Sequence, residues 1–471
     1  MQAGGLPPVM SMPYLGCMSL VSINPATGQR LSIHATFTSR QIETAVARAH
    51  SAFLGWRELS PAGRARHLRA LARTLREQRD ELAELATAEM GKPVAQARAE
   101  IDKSALTCEF YARHGRDWLA DEHPPGASPH ARVTYEPLGI VLGIMPWNFP
   151  FWQVIRAAAP ALMAGNTFLL KHASNVTGCA LALEQVVTEA GLPAGLLQTL
   201  LVTSAEIPAL IADPRVAGIT LTGSTAAGKS VAALAGAAMK PGVYELGGSD
   251  PYIVLADADL DHAAEICAQA RLFNSGQSCV CGKRFIVVES VRRAFEKKFI
   301  ARLAARRVGH PADPQTDVGP LARHDLRDEL HAQVTASIRR GARLLAGGRI
   351  PRGPGFFYPP TVLTNVRKGM PAYDDELFGP VAAIIPVRDE ETTVATANDS
   401  IYGLGAAIFS RDRRRARELA GRIESGQVFV NEFVRSDPAL PFGGVKQSGY
   451  GRELGTWGLR AFVNVKTVWV S

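Results

Sequence analysis

The chain has little cysteine for its length: six among 471 residues, at positions 17, 108, 179, 267, 279 and 281. So few, so irregularly spaced, exclude a disulfide scaffold and point to a reducing compartment, the cytoplasm. Cys279 and Cys281 form a C-x-C pair with no second pair and no histidine cluster, so no metal site is expected. Long apolar runs are also missing, which excludes a bilayer-spanning helix and a membrane partner. Residues 1–18 lack the basic start of a secretory signal; they read as a poorly ordered lead-in, with Met18 an alternative start. Internal repeats and low-complexity tracts are absent. What remains is a globular composition, 46% hydrophobic and 20% charged. A chain this long is expected to form two or three domains. The formal charge is +8, and its one dense run is Arg411-Asp-Arg-Arg-Arg-Ala-Arg417. Asp412 and Glu418 interrupt that run, so it reads as a solvated helix face and not as a nucleic-acid patch. A modest positive field suits an anionic substrate or a dinucleotide.

Residues 22–31 read as a strand, a turn and a strand. Leucines at 68, 71, 75, 82 and 85 share one face of a helix, which Glu89-Met-Gly-Lys-Pro93 ends. Another helix continues to about residue 114. Residues 118–138 form an excursion with an edge strand near 131–136. Strands and helices then alternate: strands at Ile140–Met145, Thr167–Leu170, Leu197–Val202 and Val216–Leu221, with helices at 152–164, 178–190, 206–212 and 226–238. This alternation predicts a parallel sheet with helices on both faces and a ligand beyond the carboxyl ends of the strands. A second block, 247–435, repeats the pattern with strands at 252–255, 284–288, 382–387, 406–410 and 427–430. The alternating segment 462–470 is a terminal strand that needs a partner, either the 131–136 excursion or another subunit.

Two sets of motifs compete for the function. Gly223-Ser-Thr-Ala-Ala-Gly-Lys-Ser230 fits the phosphate-loop pattern G-x-x-x-x-G-K-[ST], after a strand and at the start of a helix. It would make the chain a P-loop NTPase, with Lys229 on the phosphates and Ile253-Val-Leu-Ala-Asp257 as its acidic strand. The weaker reading is a glycine-rich turn at a helix N-terminus, suited to a phosphate group. The second set is Met145-Pro-Trp-Asn-Phe-Pro150, Leu170-Lys-His-Ala-Ser174, Glu245-Leu-Gly-Gly-Ser-Asp-Pro251, Gly276-Gln-Ser-Cys279, Glu376-Leu-Phe-Gly-Pro380 and Pro441-Phe-Gly-Gly-Val-Lys-Gln-Ser-Gly-Tyr-Gly-Arg452. On its own, Cys279 reads as a small buried hydrophobe, as most free cysteines are.

With these six motifs in this order, the chain resembles the NAD(P)-dependent aldehyde dehydrogenase superfamily along nearly its whole length. The bacterial succinate-semialdehyde dehydrogenases are the nearest in kind. The spacings fit too: Asn148 to Lys171 is 23 residues and Glu245 to Cys279 is 34. The resemblance implies an α/β fold of three parts. A Rossmann-type cofactor domain takes 1–117 and 138–246 with part of 436–453. A catalytic domain takes 247–435. A small oligomerisation sheet takes 118–137 and 454–471. It further implies a homodimer or homotetramer.

The family's roles carry over to matching residues. Cys279 would attack the aldehyde as thiolate, Asn148 would donate to the oxyanion, and Glu245 would activate the hydrolytic water. Lys171 and Ser174 would face the adenosine ribose, Gly223 and Ser224 the phosphates, and Glu376 the nicotinamide ribose, with Phe378 and Trp147 walling the cofactor. Ser174 stands where many NAD-preferring members carry glutamate, so NADP and NAD are both admissible. Arg156 and Ser436 match positions that clamp the distal carboxylate of a semialdehyde. A second arginine is common a few residues before the nucleophile, but here Phe273 stands in that neighbourhood. The implied activity is oxidation of a short semialdehyde, succinate semialdehyde foremost, with glutarate semialdehyde or another small aldehyde as the alternative. Cys281 could form a reversible disulfide with Cys279.

Overall fold

The computed structural model describes residues 19–471, so Cys17 and the 1–18 lead-in lie outside the described residues. Two largely parallel sheets carry the architecture. The first has six strands in the order Gly449–Tyr450, Gly242–Glu245, Val216–Thr222, Ile140–Met145, Thr167–His172 and Leu197–Thr199. All of its pairings are parallel except that of the two-residue edge strand, which runs antiparallel to Gly242–Glu245. The second has seven strands: Arg343–Ala346, Thr361–Thr364, Val381–Val387, Gly282–Val288, Asp250–Val254, Gly405–Phe409 and Gln427–Val430. Only its Arg343–Ala346 edge is antiparallel. The central strands are almost wholly buried: every residue of Gly282–Val288, and all of Val381–Val387 except Pro386. In Val381–Val387 that burial on both faces is what a near-continuous run of Val, Ile and Ala encodes.

The leucine stripe of 68–85 belongs to two helices, not one: Pro61–Glu77 and Arg79–Met90. Gln78 stops the first, its N–H returning to the Thr74 and Arg76 carbonyls, and Asp80 and Glu81 in the next turn suit a new helix start. Leu68, Leu71, Leu75 and Leu82 are buried on one side of the break and the other. The helix Val94–Trp118 packs on Pro61–Glu77 and on Trp152–Ala164. Six strands had no counterpart in the sequence pattern: Gly242–Glu245, Arg343–Ala346 and Thr361–Thr364, and the two-residue strands Tyr402–Gly403, Val445–Lys446 and Gly449–Tyr450.

The terminal strand Val463–Trp469 pairs antiparallel with Ala131–Pro137 of the same chain. The arginine run forms the short helix Arg413–Ala420, where Arg414 pairs with Glu418 and Arg415 with Glu390. No helix among the described residues is long and apolar enough to cross a membrane.

Candidate active site

A cleft of about 600 Å³ opens between the carboxyl ends of the two sheets. The first sheet contributes Trp147 and Asn148 after strand Ile140–Met145, and Gly223 and Ser224 after Val216–Thr222. From the other side come Cys279, Glu376 and Phe378. The Asn148 loop is fixed from below. The buried Glu100 carboxylate accepts from the Phe151 and Trp152 N–H groups at 2.8 and 2.9 Å, capping the Trp152–Ala164 helix. Its other oxygen is ion-paired to the buried Lys92. His172 Nε2 lies 2.9 Å from the Pro150 carbonyl and ties the neighbouring strand end to the same loop.

Cys279 lies half-buried in the turn between helix Leu260–Leu272 and strand Gly282–Val288. Asn274, Ser275 and Gly276 before it all have left-handed backbone, with φ of 53°, 55° and 76°. Each such residue other than glycine costs about 1–3 kcal/mol, so the surroundings must hold it. They do so by hydrogen bonds. Asn274 Nδ2 donates to the Asn148 carbonyl at 2.8 Å and to the Gln277 carbonyl at 3.0 Å. Asn274 N–H donates to Gln96 Oε1 at 2.7 Å. Ser275 Oγ and Gln277 Oε1 each accept a backbone N–H, from Gly319 and Ala322, at 2.9 Å. At Gly276 a Cβ would strike the Gly379 carbonyl, so the turn admits only glycine.

The Asn148 side chain is buried and donates to the Gln277 carbonyl at 3.1 Å, which aims its amide at the Cys279 turn. Lys283 anchors that turn from behind. Its buried ammonium donates to the Ser278 and Cys279 carbonyls at 3.0 and 2.7 Å and pairs with Glu376 at 3.0 Å. Glu376 also accepts from the Gly248 N–H at 3.1 Å. Burial pushes the Cys279 thiol up to about 12, with Glu376 and Glu245 adding and Arg156 and Lys283 opposing. Glu245 ends strand Gly242–Glu245, beside Thr222. It is buried, and neither carboxylate oxygen has a hydrogen-bond partner. Burial and the nearby Glu453 carboxylate push Glu245 well above the usual range, while Arg156 and Arg452 pull it back. A buried, unpaired carboxylate is costly unless it has a task.

The chain matches the description "Aldehyde dehydrogenase family" over residues 17–468. The chain belongs to the aldehyde dehydrogenase family. It is 48% identical over 449 residues to "Succinate semialdehyde dehydrogenase [NAD(P)+] Sad" of Escherichia coli (strain K12), covering 95% of this chain and 97% of that one. It is also 48% identical to "Succinate-semialdehyde dehydrogenase [NADP(+)] 1" of Mycobacterium tuberculosis (strain ATCC 25618 / H37Rv) over 457 residues, 96% of this chain and all of the relative. Among solved structures it superposes with TM-score 0.94 on succinic semialdehyde dehydrogenase from Streptococcus pyogenes in complex with NADP+, at 36% identity, covering 96% of this chain and 99% of that one.

Membership in this aldehyde dehydrogenase family removes the P-loop reading, and the geometry gives the reason. Helix Thr225–Ala237 begins immediately after Ser224, whose Oγ caps it by accepting from the Ala227 N–H at 3.3 Å. Gly228 is already inside the helix and packed on Leu246, leaving no loop to wrap a phosphate. Lys229 points to Gln447 Oε1, 3.1 Å away.

The remaining expected residues divide. Trp147 and Phe378 meet edge to face, ring centres 5.7 Å apart, on one wall of the cleft. Lys171 and Ser174 lie beyond the cleft walls, at and just past the carboxyl end of Thr167–His172, with Ser174 exposed. Arg156 does not line the cleft. Its guanidinium is ion-paired to Glu453, donates to Thr222 Oγ1 at 3.0 Å and lies 4.7 Å from the centre of the Phe442 ring. Ser436 accepts from Lys103 through both its carbonyl (2.9 Å) and its hydroxyl (2.7 Å). Cys281 is buried and its thiol donates to the Phe273 carbonyl at 3.4 Å. Sequence reasoning missed Lys283, Glu453 and Lys103. Lys283 stands four residues after the nucleophile and Glu453 one after the Pro441–Arg452 motif, so only their closeness to the motifs could have marked them.

Proposed function

We propose that the chain oxidises a short aliphatic semialdehyde, succinate semialdehyde first, to its carboxylic acid with NADP or NAD. One observation carries the reading: a half-buried thiol and a buried amide line one cleft where two parallel sheets end, and the unpartnered buried carboxylate of Glu245, behind the cleft wall, is near enough to act on the thiol electrostatically. The names of the relatives at 48% identity support the substrate. The cofactor cleft fits a dinucleotide. It offers a helix N-terminus at Ser224 for a phosphate, the Glu376 carboxylate for ribose hydroxyls and an aromatic wall at Trp147 and Phe378. Ser174 brings no negative charge, so a 2′-phosphate is not repelled there.

The residues divide the work. Cys279 gives its thiol proton to water, Sγ attacks the aldehyde carbon as thiolate, the carbonyl electron pair moves to oxygen, and a thiohemiacetal forms. The Asn148 amide and the Cys279 N–H donate to its oxygen, where charge develops. When bound, the nicotinamide supplies the hydride acceptor that takes the thiohemiacetal to a thioester. Glu245 then takes a proton from water, the water attacks the thioester carbon, and the acid leaves as the Cys279 sulfur is released. Burial of Glu245 raises its proton affinity, which suits a base.

The active form is a homodimer or homotetramer. The two-stranded ribbon of Ala131–Pro137 and Val463–Trp469 leaves Val465 and Trp469 61% and 62% exposed, and a lone two-stranded ribbon is marginal in water. The test is steady-state kinetics with NAD and NADP on succinate semialdehyde, glutarate semialdehyde and butanal, with Cys279→Ala as blank. Preference for a semialdehyde and loss of activity in the blank support the reading. Retained dehydrogenase activity in the blank sinks the mechanism, and equal efficiency on butanal sinks the substrate.

A further inference from the structure

A semialdehyde enzyme needs a cation for the distal carboxylate, and most arginines near Cys279 are committed elsewhere. Arg156 is held by Glu453 and Thr222. Arg271 is buried and donates to the Gly276 carbonyl at 2.7 Å. Arg284 is buried and donates to the carbonyls of Ser249, Thr396 and Ala397, each at 2.9 Å. Arg435 pairs with Glu432 at 3.0 Å, and its side chain is half exposed. Phe273 stands in the neighbourhood where a second arginine is common.

Lys103 is different. It projects from helix Val94–Trp118, half-buried, and no carboxylate lies within ion-pair distance of it among the described residues. Its ammonium sits 4.5 Å from the centre of the Trp152 ring and donates twice to Ser436. An ammonium has three protons, so one is left for an anion. The Ser436 hydroxyl, accepting from Lys103, keeps its own proton to donate. An aromatic chain leads from here toward the nucleophile. Phe433, three residues before Ser436, lies 6.5 Å from the Phe273 ring, and Phe273 lies 5.6 Å from Phe149, next to Asn148. None of these rings lines the cleft that holds Trp147 and Phe378. They run from the Ser436 loop to the residues flanking Asn148 and the Cys279 turn, on a side other than that cleft.

We propose that the Lys103 ammonium, with the Ser436 hydroxyl beside it, binds the distal carboxylate of the semialdehyde while the aldehyde end reaches Cys279 past Phe149, Phe273 and Phe433. The proposal rests on the semialdehyde reading above. It makes Lys103 a specificity residue acting on substrate binding. The electrostatics agree. Burial pulls Lys103 down to about 8; Arg156 and Arg435 push the same way, and Asp437 and Glu100 push back. The site is thus a cation short of negative charge. Below pH 8 Lys103 is charged and holds a carboxylate; above it the charge is lost.

The experiment uses the full-length enzyme with NADP and compares kcat/KM on succinate semialdehyde and on butanal. For K103M the succinate semialdehyde to butanal ratio should fall about 10- to 100-fold, mostly through KM, the worth of one charge-assisted hydrogen bond. K103R should restore most of the ratio, and S436A should lower it a few-fold. In the wild type the ratio should decline as pH passes about 8, and in K103M it should be flat across that range. A K103M ratio equal to that of the wild type overturns the proposal. So does equal loss on both aldehydes with K103R fully active, which would make Lys103 structural. A wild type with no preference for the semialdehyde overturns the functional reading instead.

Discussion

Replacing Arg156 with methionine separates a structural arginine from a substrate clamp. The two members of the Arg156–Glu453 pair are 2% and 5% exposed, so water cannot take over the role of either. Methionine keeps much of the volume against Phe442 but removes the charge and the 3.0 Å bond to Thr222. Breaking a buried pair from one side costs about 3–5 kcal/mol, because the remaining charge is stranded. Here the stranded group is Glu453, whose carboxyl already stands above its usual range through burial. The expected result is a lower urea midpoint and a comparable fractional loss of activity on succinate semialdehyde and butanal. The double variant R156M/E453Q should regain most of the stability, since no unpaired charge is left and the glutamine can still meet Thr220. A pH effect follows with a definite sign. Arg156 holds the Glu245 carboxyl down, so its loss raises it further. The carboxylate is the active base, so the rising limb of the deacylation profile should move to higher pH. Unchanged stability with a loss confined to succinate semialdehyde would refute this account and return Arg156 to the substrate.

Three other outcomes can be checked directly. Glu245→Gln should form the acyl-enzyme in a single burst and then stall, with steady-state turnover down about 10²- to 10⁴-fold; unaltered turnover would remove Glu245 as base. Alkylation of Cys279 by iodoacetamide in the cofactor-free enzyme should rise about tenfold per pH unit from 7 to 10 without a plateau, because burial holds the thiol near 12; a plateau near 8.5 would contradict that. Gly276→Ala should cost about 10²-fold in kcat, since a Cβ on the Gly379 carbonyl displaces the nucleophile's turn; wild-type kcat would show the turn to be adaptable.

Much of the fold was legible because the second-block strands Val381–Val387 and Gln427–Val430 are short apolar runs bounded by Gly, Pro or polar residues. The break at Gln78 was hidden because Leu75 and Leu82 keep one face across it, seven residues apart. Arg343–Ala346 carries no β-branched or aromatic residue, and Thr361–Thr364 has only two apolar residues between its threonines, so neither stands out as Gln427–Val430 does. The residues at the Asn148 and Cys279 turns were legible as motifs, since each sits in a loop whose own sequence is specialised. What held them in place was not. Arg156 meets Glu453, Lys103 meets Ser436 and Gln96 meets Asn274 across long stretches of chain. A position relative to a motif gives the residue type but not the partner. Arg156 and Ser436 were both assigned to the carboxylate on that basis; the sequence did not show that Glu453 stands against the first and Lys103 against the second.

The charges around Cys279 explain why the two cations need different duties. Lys283 is taken by Glu376 and two carbonyls, and Arg156 by Glu453, so the fixed charge near the sulfur is nearly balanced. Glu245 is the exception, with no partner for either oxygen. A base is most effective with its proton affinity near the working pH. Burial raises the proton affinity of Glu245. The positive charge of Arg156 and Arg452 limits that rise, and the Glu453 carboxylate adds to it. If Arg156 also bound a substrate carboxylate, each substrate would weaken its hold on Glu245 at the step that needs the base. Placing the carboxylate at Lys103, on another helix, keeps substrate recognition from retuning the base.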